Sequence, residues 1–240
     1  HGPEDFILGN RYKIGVVSPV DGRGFFTEEG GKFAGLRYDK ANPVIISHLQ
    51  ELNKLLAASK TSHSYPHCWR CKKPLIFRAT EQWFASVDGF RKEALAAIDT
   101  VSWLPASGRN RIYTMVENRS DWCISRQRSW GVPLPVFYSK NTGTPILNEE
   151  IINRVADVFE KEGSDAWWQH EASYFLPPGY TAEDGSTECT KESDIMDVWF
   201  DSGVTHAAVI DARPILRGTP CELYLEGSDQ HRGWFQSSLW

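Results

Sequence analysis

The stretch from Tyr224 to Phe235, Tyr-Leu-Glu-Gly-Ser-Asp-Gln-His-Arg-Gly-Trp-Phe, constrains the fold more than any other part of this sequence. An apolar run stops at a carboxylate and a glycine, and a polar cluster then opens onto a second apolar stretch. The pattern predicts a buried strand over 223–225, leading through Gly227 into a helix. In α/β sheets ligands bind outside the carboxyl ends of strands, where the free N–H groups of a helix N-terminus meet polar ligand atoms. Glu226 and Asp229 can accept hydrogen bonds there from a ribose hydroxyl or an amine. Ordinary capping by Ser228 and Asp229 is the plainer reading of the same residues.

Periodicity supplies the other elements. Residues 42–58 read as a helix with Asn42-Pro43 at its start and Val44, Ile45, Leu49, Leu52 and Leu56 on one face. Further helices are predicted over 90–98, 109–119 and 146–161, the last with Ile151, Ile152, Val155 and Phe159 as its buried stripe. Short β-like runs occupy 14–17 and 25–27 around a turn at 19–22, and a buried strand is predicted over 209–213. The Pro/Gly-rich acidic segment 174–189 reads as a surface excursion. Strands alternating with helices indicate α/β architecture.

Composition narrows the function classes. A net charge of −5 and a pI near 5.8 exclude a global basic field, so a polyanion partner needs a local patch. No apolar run approaches the ~18 residues of a membrane span, and no signal or transit peptide is visible. The reading is a soluble globular protein with no membrane partner. Five Cys in 240 residues argue for a reducing compartment, a cytoplasmic address with an organellar one left open. Ten Trp are several times ordinary usage, and such rings either pack cores or wall pockets for apolar ligands. The chain starts at His1-Gly2 without Met and stops at Trp240 inside an apolar run, as expected of an internal piece of a longer protein.

Several segments carry chemistry-bearing residues. Cys68-Trp69-Arg70-Cys71 has zinc-knuckle spacing, with His63 and His67 close by; a structural site normally needs four ligands, so two silent thiols are as good a reading. Within 121–135, Arg126 and Arg128 can contact phosphates or stack on rings, or merely join surface ion pairs. Asp197-Val198-Trp199-Phe200-Asp201-Ser202-Gly203 puts aromatics between carboxylates, a pattern that more often packs than binds. His1-Gly2-Pro3-Glu4-Asp5-Phe6 combines a His and two acids ahead of an aromatic, as an amine-binding cluster or a cap.

In order along the chain, HGPEDF at 1–6, SPVDGRGFF at 18–26, HSYPHCWRCKKPLIFRATEQWF at 63–84, DWCISRQRSWGVPLP at 121–135, DVWFDSG at 197–203 and LEGSDQHRGWF at 225–235 closely resemble class I aminoacyl-tRNA synthetases of the isoleucine, leucine and valine branch. DVWFDSG and the Pro-Leu-Pro after RQRSWG are similar to the isoleucine-specific members. The resemblance implies a Rossmann-type catalytic domain, here partial, plus the C-terminal part of a β-rich inserted editing domain. It puts the editing part at 1–62 and the return into the catalytic domain at 63–240, with the knuckle near 68–71 and a surface excursion at about 139–195. The implied reaction is ATP-dependent activation of L-isoleucine to the adenylate and transfer to tRNA(Ile), with hydrolytic editing of Val-tRNA(Ile).

The family's HIGH and KMSKS signatures, the Thr-rich half of the editing site and the anticodon-binding helices are missing, so this piece alone is expected to be inactive. By the same resemblance Glu226 matches an adenylate-contacting glutamate. Gly227, Asp229 and Gln230 match positions lining the adenylate pocket, and Trp199 and Trp234 match walls of the side-chain pocket. Asp5 matches the editing aspartate that holds the misacylated amino group, whereas His1 is not the editing histidine. Cys68 and Cys71 match half of a four-Cys structural zinc site found in some members. ATP with Mg²⁺ is the implied nucleotide substrate, and the implied protein is a monomer. The valine or leucine enzyme, or a catalytically inactive synthetase-derived binding module, are the alternatives.

Overall fold

The computed structural model describes residues 3–216 and 221–240. His1 and Gly2, which open the HGPEDF segment, lie outside the described residues. In chain order the elements are α1 (Pro3–Tyr12), a 3₁₀ stretch at Glu28–Phe33, α2 (Tyr38–Glu51), β1 (Phe84–Ala85), α3 (Arg91–Ile98), α4 (Ser107–Glu117), β2 (Trp122–Cys123) and β3 (Ser125–Arg126). There follow β4 (Phe137–Ser139), β5 (Pro145–Ile146), α5 (Glu149–Glu162), α6 (Ala166–Gln169), α7 (Ala172–Phe175), β6 (Cys189–Lys191) and β7 (Ile195–Met196). The chain ends with α8 (Val198–Gly203), a π-helix at His206–Asp211, a 3₁₀ turn at Ser228–His231 and α9 (Trp234–Ser237). None of the described helices is long and apolar enough to cross a membrane.

Two compact units divide the chain, His1–Glu81 and Gln82–Trp240. In the first, Gly24 and Ala41 are the buried positions among the described residues. The run at 14–17 forms no strand, and 25–27 supplies only isolated bridges, Val20 to Phe26 and Phe25 to Arg37. Helix α2 starts four residues before the expected Asn42-Pro43 cap and carries Pro43 inside it. Proline's fixed φ is helical and removes a single N–H donor, so a helix can run through it near its N-terminal end at a cost. Of the expected apolar face, Ile45 and Leu49 are half-buried, whereas Val44, Leu52 and Leu56 are exposed.

The second unit has two cores. One gathers Phe137, Ile151, Val155, Trp167, Ala172, Phe175 and Leu176 between the antiparallel β5-β4-β6 sheet and α5–α7. Helix α5 shows why its sequence was readable. Asn148 accepts from the N–H groups of Glu150 at 2.8 Å and Ile151 at 3.3 Å, two acids follow in the first turn, and Gly163 ends the helix. Ile151 and Val155 are fully buried, with Ile152 and Phe159 half-buried beside them. The segment expected as a surface excursion is exposed over most of its length but also contributes Phe175 and Leu176 to this core. Phe175, Leu176, Ala182 and Ser186, all within 174–189, are buried.

The other core packs α3 and α4 through Ala94, Ile98, Ile112 and Val116, covered by Trp103, Phe235, Leu239 and Trp240. These helices start and stop within two residues of the predicted spans. Two predicted strands do not form. Residues 206–211 are a π-helix, and 223–225 are unpaired, with Leu223 73% and Leu225 86% exposed. Short apolar runs carry no period that separates strand from helix, and a strand needs a neighbour to complete its hydrogen bonds. Every strand pairing among the described residues is antiparallel. Glu226 accordingly does not sit at the end of a strand.

Candidate functional site

The site in the second unit is built around a buried carboxylate. Strands β3 and β7 pair with Ser125 opposite Met196 and Arg126 opposite Ile195, which delivers the next residue, Asp197, onto the 122–126 segment. Asp197 Oδ2 accepts from Trp122 Nε1 at 2.9 Å and from Arg126 Nη2 at 2.8 Å. Its Oδ1 accepts from the Trp199 N–H at 3.3 Å and so caps α8. The residue is only 4% exposed, and a carboxylate that deep is tolerable because a guanidinium and two N–H groups replace its water.

Held in this way, α8 presents Trp199 to the start of α9. A Cβ on Gly233 would lie 2.7 Å from Trp199 Cη2 and 2.5 Å from Gln230 Oε1, so both side chains fill the space that this glycine leaves. Gln230 Oε1 accepts from the Trp234 N–H at 3.1 Å. The Trp234 indole N–H donates to Thr205 Oγ1 at 3.4 Å, and its ring stacks on Tyr224 with centroids 3.3 Å apart. Of the residues chosen from the sequence, Trp199 and Gln230 thus meet over Gly233, and Gln230 holds the backbone of Trp234, whose ring packs on Tyr224. Asp229 Oδ2 accepts from Gln230 Nε2 at 3.1 Å and leans over Gly227, while Glu226 is exposed beside them. The 228–231 turn has no side-chain cap, so Ser228 and Asp229 do not play the capping part. Instead Ser228 Oγ accepts from Arg111 Nη1 at 2.6 Å.

The surrounding charges are perturbed. Burial, then the nearby charge of Asp197, raises the Asp201 carboxyl. Burial, then the like charge of Arg232, lowers the Arg119 guanidinium, whose Nη1 donates to Gln236 Oε1 at 2.8 Å. Arg126 and Arg128 part company. Arg126 is committed to Asp197, while Arg128 and the neighbouring Trp130 are exposed, Trp130 by 87%. Sequence reasoning missed the Trp122–Arg126–Asp197 lock. Its signal was the polar density of both motifs, but nothing in one sequence says that segments some seventy positions apart face each other.

In the first unit, Asp5 lines a cavity of about 490 Å³ together with Phe6, Val17, Phe26 and Arg78. Arg78 Nε donates to the Val20 carbonyl at 2.7 Å. The Cys-x-x-Cys forms a tight knuckle. The Cys68 N–H donates to the Lys73 carbonyl at 2.8 Å, the Lys72 N–H donates to the Cys68 carbonyl at 2.8 Å, and Lys72 turns the chain at φ 58°. The backbone N–H of Cys71, then that of Arg70, then the Cys71 thiol, hold the Cys68 thiol below its usual range. Donors aimed at one sulfur favour the thiolate that a metal needs. His63 and His67 do not cluster with them, and each ring's Nδ1 meets a backbone carbonyl, of Ser64 and Tyr65. Among the described residues no three His, Cys, Asp or Glu cluster to hold a metal, so the knuckle offers two ligands.

Comparison with known proteins gives these sites a context. The family described as tRNA synthetases class I (I, L, M and V) matches residues 25–240. An isoleucine–tRNA ligase of Thermoanaerobacter sp. (strain X514) is 58% identical over 239 residues, covering 100% of this chain and 26% of the relative. That of Moorella thermoacetica is 58% identical over 240 residues, and that of Carboxydothermus hydrogenoformans 57% over 243, with the same two coverages. The chain spans about a quarter of the length of the curated relatives it matches. With the family pattern running through nearly the whole sequence, the chain belongs to the class I tRNA synthetases of the isoleucine, leucine, methionine and valine group.

Proposed function

We propose that the chain is part of an isoleucine–tRNA ligase, and that its second unit supplies one side of the adenylate-forming pocket. The observation that carries this is the meeting of Trp199 and Gln230 over Gly233, next to Trp234 and behind the Asp197 lock, in a chain 58% identical to ligases of that name. In the reaction, a carboxylate oxygen of isoleucine attacks the α-phosphorus of ATP, pyrophosphate leaves with Mg²⁺, and the acyl group then passes to the 3′ end of tRNA(Ile). Trp199 and Trp234 wall the amino-acid side chain. Gly227, Asp229 and Gln230 line the adenylate, and Glu226 offers it an acceptor. On this reading the fold is completed by a Rossmann-type parallel sheet, with the catalytic part running from residue 63 and the editing part ending near residue 62. The protein works in the cytoplasm as a monomer.

The test is pyrophosphate exchange by the full-length ligase. Isoleucine should support exchange far better than valine or leucine, and Glu226→Ala should lower it roughly ten- to hundredfold, the worth of one charge-assisted hydrogen bond. Wild-type exchange in that variant removes Glu226 from the pocket.

Two further roles belong to this proposal. A pocket walled by Trp199 and Trp234 excludes larger side chains but rejects valine by only ~1–3 kcal/mol, so a second, hydrolytic site is needed. Asp5, on the wall of the 490 Å³ cavity, is our choice to grip the free α-amino group of valine on Val-tRNA(Ile). Asp5→Ala should leave isoleucine activation intact and slow deacylation of preformed Val-tRNA(Ile); unchanged deacylation refutes the role. Cys68 and Cys71 suit two of the four positions of a structural zinc ion, which would tie the knuckle to a second thiolate pair.

A further inference from the structure

His231 is 9% exposed, yet its ring is engaged at one nitrogen only. Nδ1 lies 2.7 Å from the carbonyl oxygen of Ser228. A carbonyl oxygen only accepts, so Nδ1 must carry the proton. Nε2 is then a bare acceptor, and among the described residues it is buried with no partner. What it faces is α4: a Cβ on Gly108 would lie 3.1 Å from Nε2. The ring also stacks on Trp103, with centroids 6.0 Å apart at 29°, and tilts against Phe235 at 5.6 Å. A proton on Nε2 would be a buried donor with nothing to receive it, which costs more than a bare acceptor left dry.

We infer that His231 is a positioning residue which, as its Nδ1–H tautomer, closes the 228–231 turn on itself through the Ser228 carbonyl while its ring packs on Gly108 of α4, and so sets the places of Asp229 and Gln230. Arg111 is the second strut, since its guanidinium reaches Ser228 Oγ from the same helix. The turn relays this placement onward. The Gln230 N–H donates to the Gly227 carbonyl at 3.0 Å, and Gln230 Oε1 receives the Trp234 N–H that opens α9. Gly108 is the other half of the fit, because a Cβ there would sit 3.1 Å from Nε2 and crowd the imidazole. The closed turn itself stands on geometry alone; its effect on substrate rests on the proposed ligase reading.

Nitrogen-15 NMR of the imidazole in the 240-residue chain tests the tautomer directly. The expected signal is Nδ1–H with an unprotonated Nε2, and an Nε2–H signal overturns the inference. Two substitutions then test the positioning in the full-length ligase. Asparagine places its amide nitrogen where Nδ1 stood, and glutamine places it where Nε2 stood. His231→Asn should keep the KM for isoleucine in pyrophosphate exchange within about threefold of wild type, whereas His231→Gln should raise it about tenfold or more. A purely structural role would lower the active fraction, hence kcat, and leave KM alone; equal KM values for His231→Gln and wild type overturn the positioning role. Absence of isoleucine-dependent exchange in the wild-type protein would instead refute the ligase reading, with the NMR result still deciding the His231–Ser228 bond.

Discussion

Asp197→Ala should lower the stability of the second unit by about 3 kcal/mol, the low end of what breaking a buried ion pair costs. The low end applies because the Arg126 side chain keeps 37% of its surface exposed and can recover some water, while that of Asp197 is 6% exposed. Three losses add up in this variant. Arg126 loses its counter-charge, the Trp122 indole N–H loses its acceptor in a buried setting, and α8 loses its cap. Asp197→Asn preserves the shape and one amide oxygen, so it should cost less than half as much. Urea unfolding followed by tryptophan fluorescence measures both, and a midpoint for Asp197→Ala equal to wild type would remove the lock. The same variants report on function, because Trp199 hangs from the capped turn. On the proposed ligase reading, the KM for isoleucine of the full-length protein should rise in the order wild type, Asn, Ala.

That lock marks the limit of what one sequence discloses. Helices α3, α4 and α5 were legible because each advertises itself locally. Ile112 and Val116, or Ile151 and Val155, recur at helical spacing, and Asn148 and Gly163 punctuate the ends of α5. The resemblance singled out Trp199, Gln230 and Trp234, and in the structure Trp199 and Gln230 crowd Gly233 while Gln230 accepts from the Trp234 backbone N–H. Strands were not legible, because a strand is defined by a partner far away in sequence. Leu223 and Leu225 have the right composition, yet no described strand runs beside them. Pairings such as Arg126 with Ile195 unite segments with no mutual signature. The 174–189 stretch misled for a different reason. Its prolines, glycines and acids describe the surface of a loop whose Phe175 and Leu176 turn inward to Trp167.

Gly203 is expected to be the least replaceable position near the pocket. A Cβ there would sit 2.6 Å from the carbonyl oxygen of Ser237 and 2.9 Å from its carbon, and backbone atoms cannot rotate away as a side-chain tip can. Two effects oppose each other in Gly203→Ala. Alanine at the end of α8 gains up to about 1 kcal/mol of helix propensity, whereas forcing an atom into a closed contact costs about 1–3 kcal/mol. The clash wins, since relief requires α8 and α9 to separate, carrying Trp199 away from Gly233 and Trp234 away from Thr205. Gly203→Val, with two more carbons in the same gap, should lose more than alanine and abolish the native tryptophan fluorescence at ambient temperature. Gly89→Ala is the control, because a Cβ at that glycine meets nothing within 4 Å. Its unfolding midpoint should equal or exceed that of wild type. On the proposed ligase reading, which puts Trp199 and Trp234 around the isoleucine side chain, Gly203→Ala in the full-length protein should raise the KM for isoleucine while Gly89→Ala leaves it unchanged. Equal midpoints and equal KM values for the two variants would show that α8 and α9 yield without penalty, and the close approach would then be incidental to the pocket.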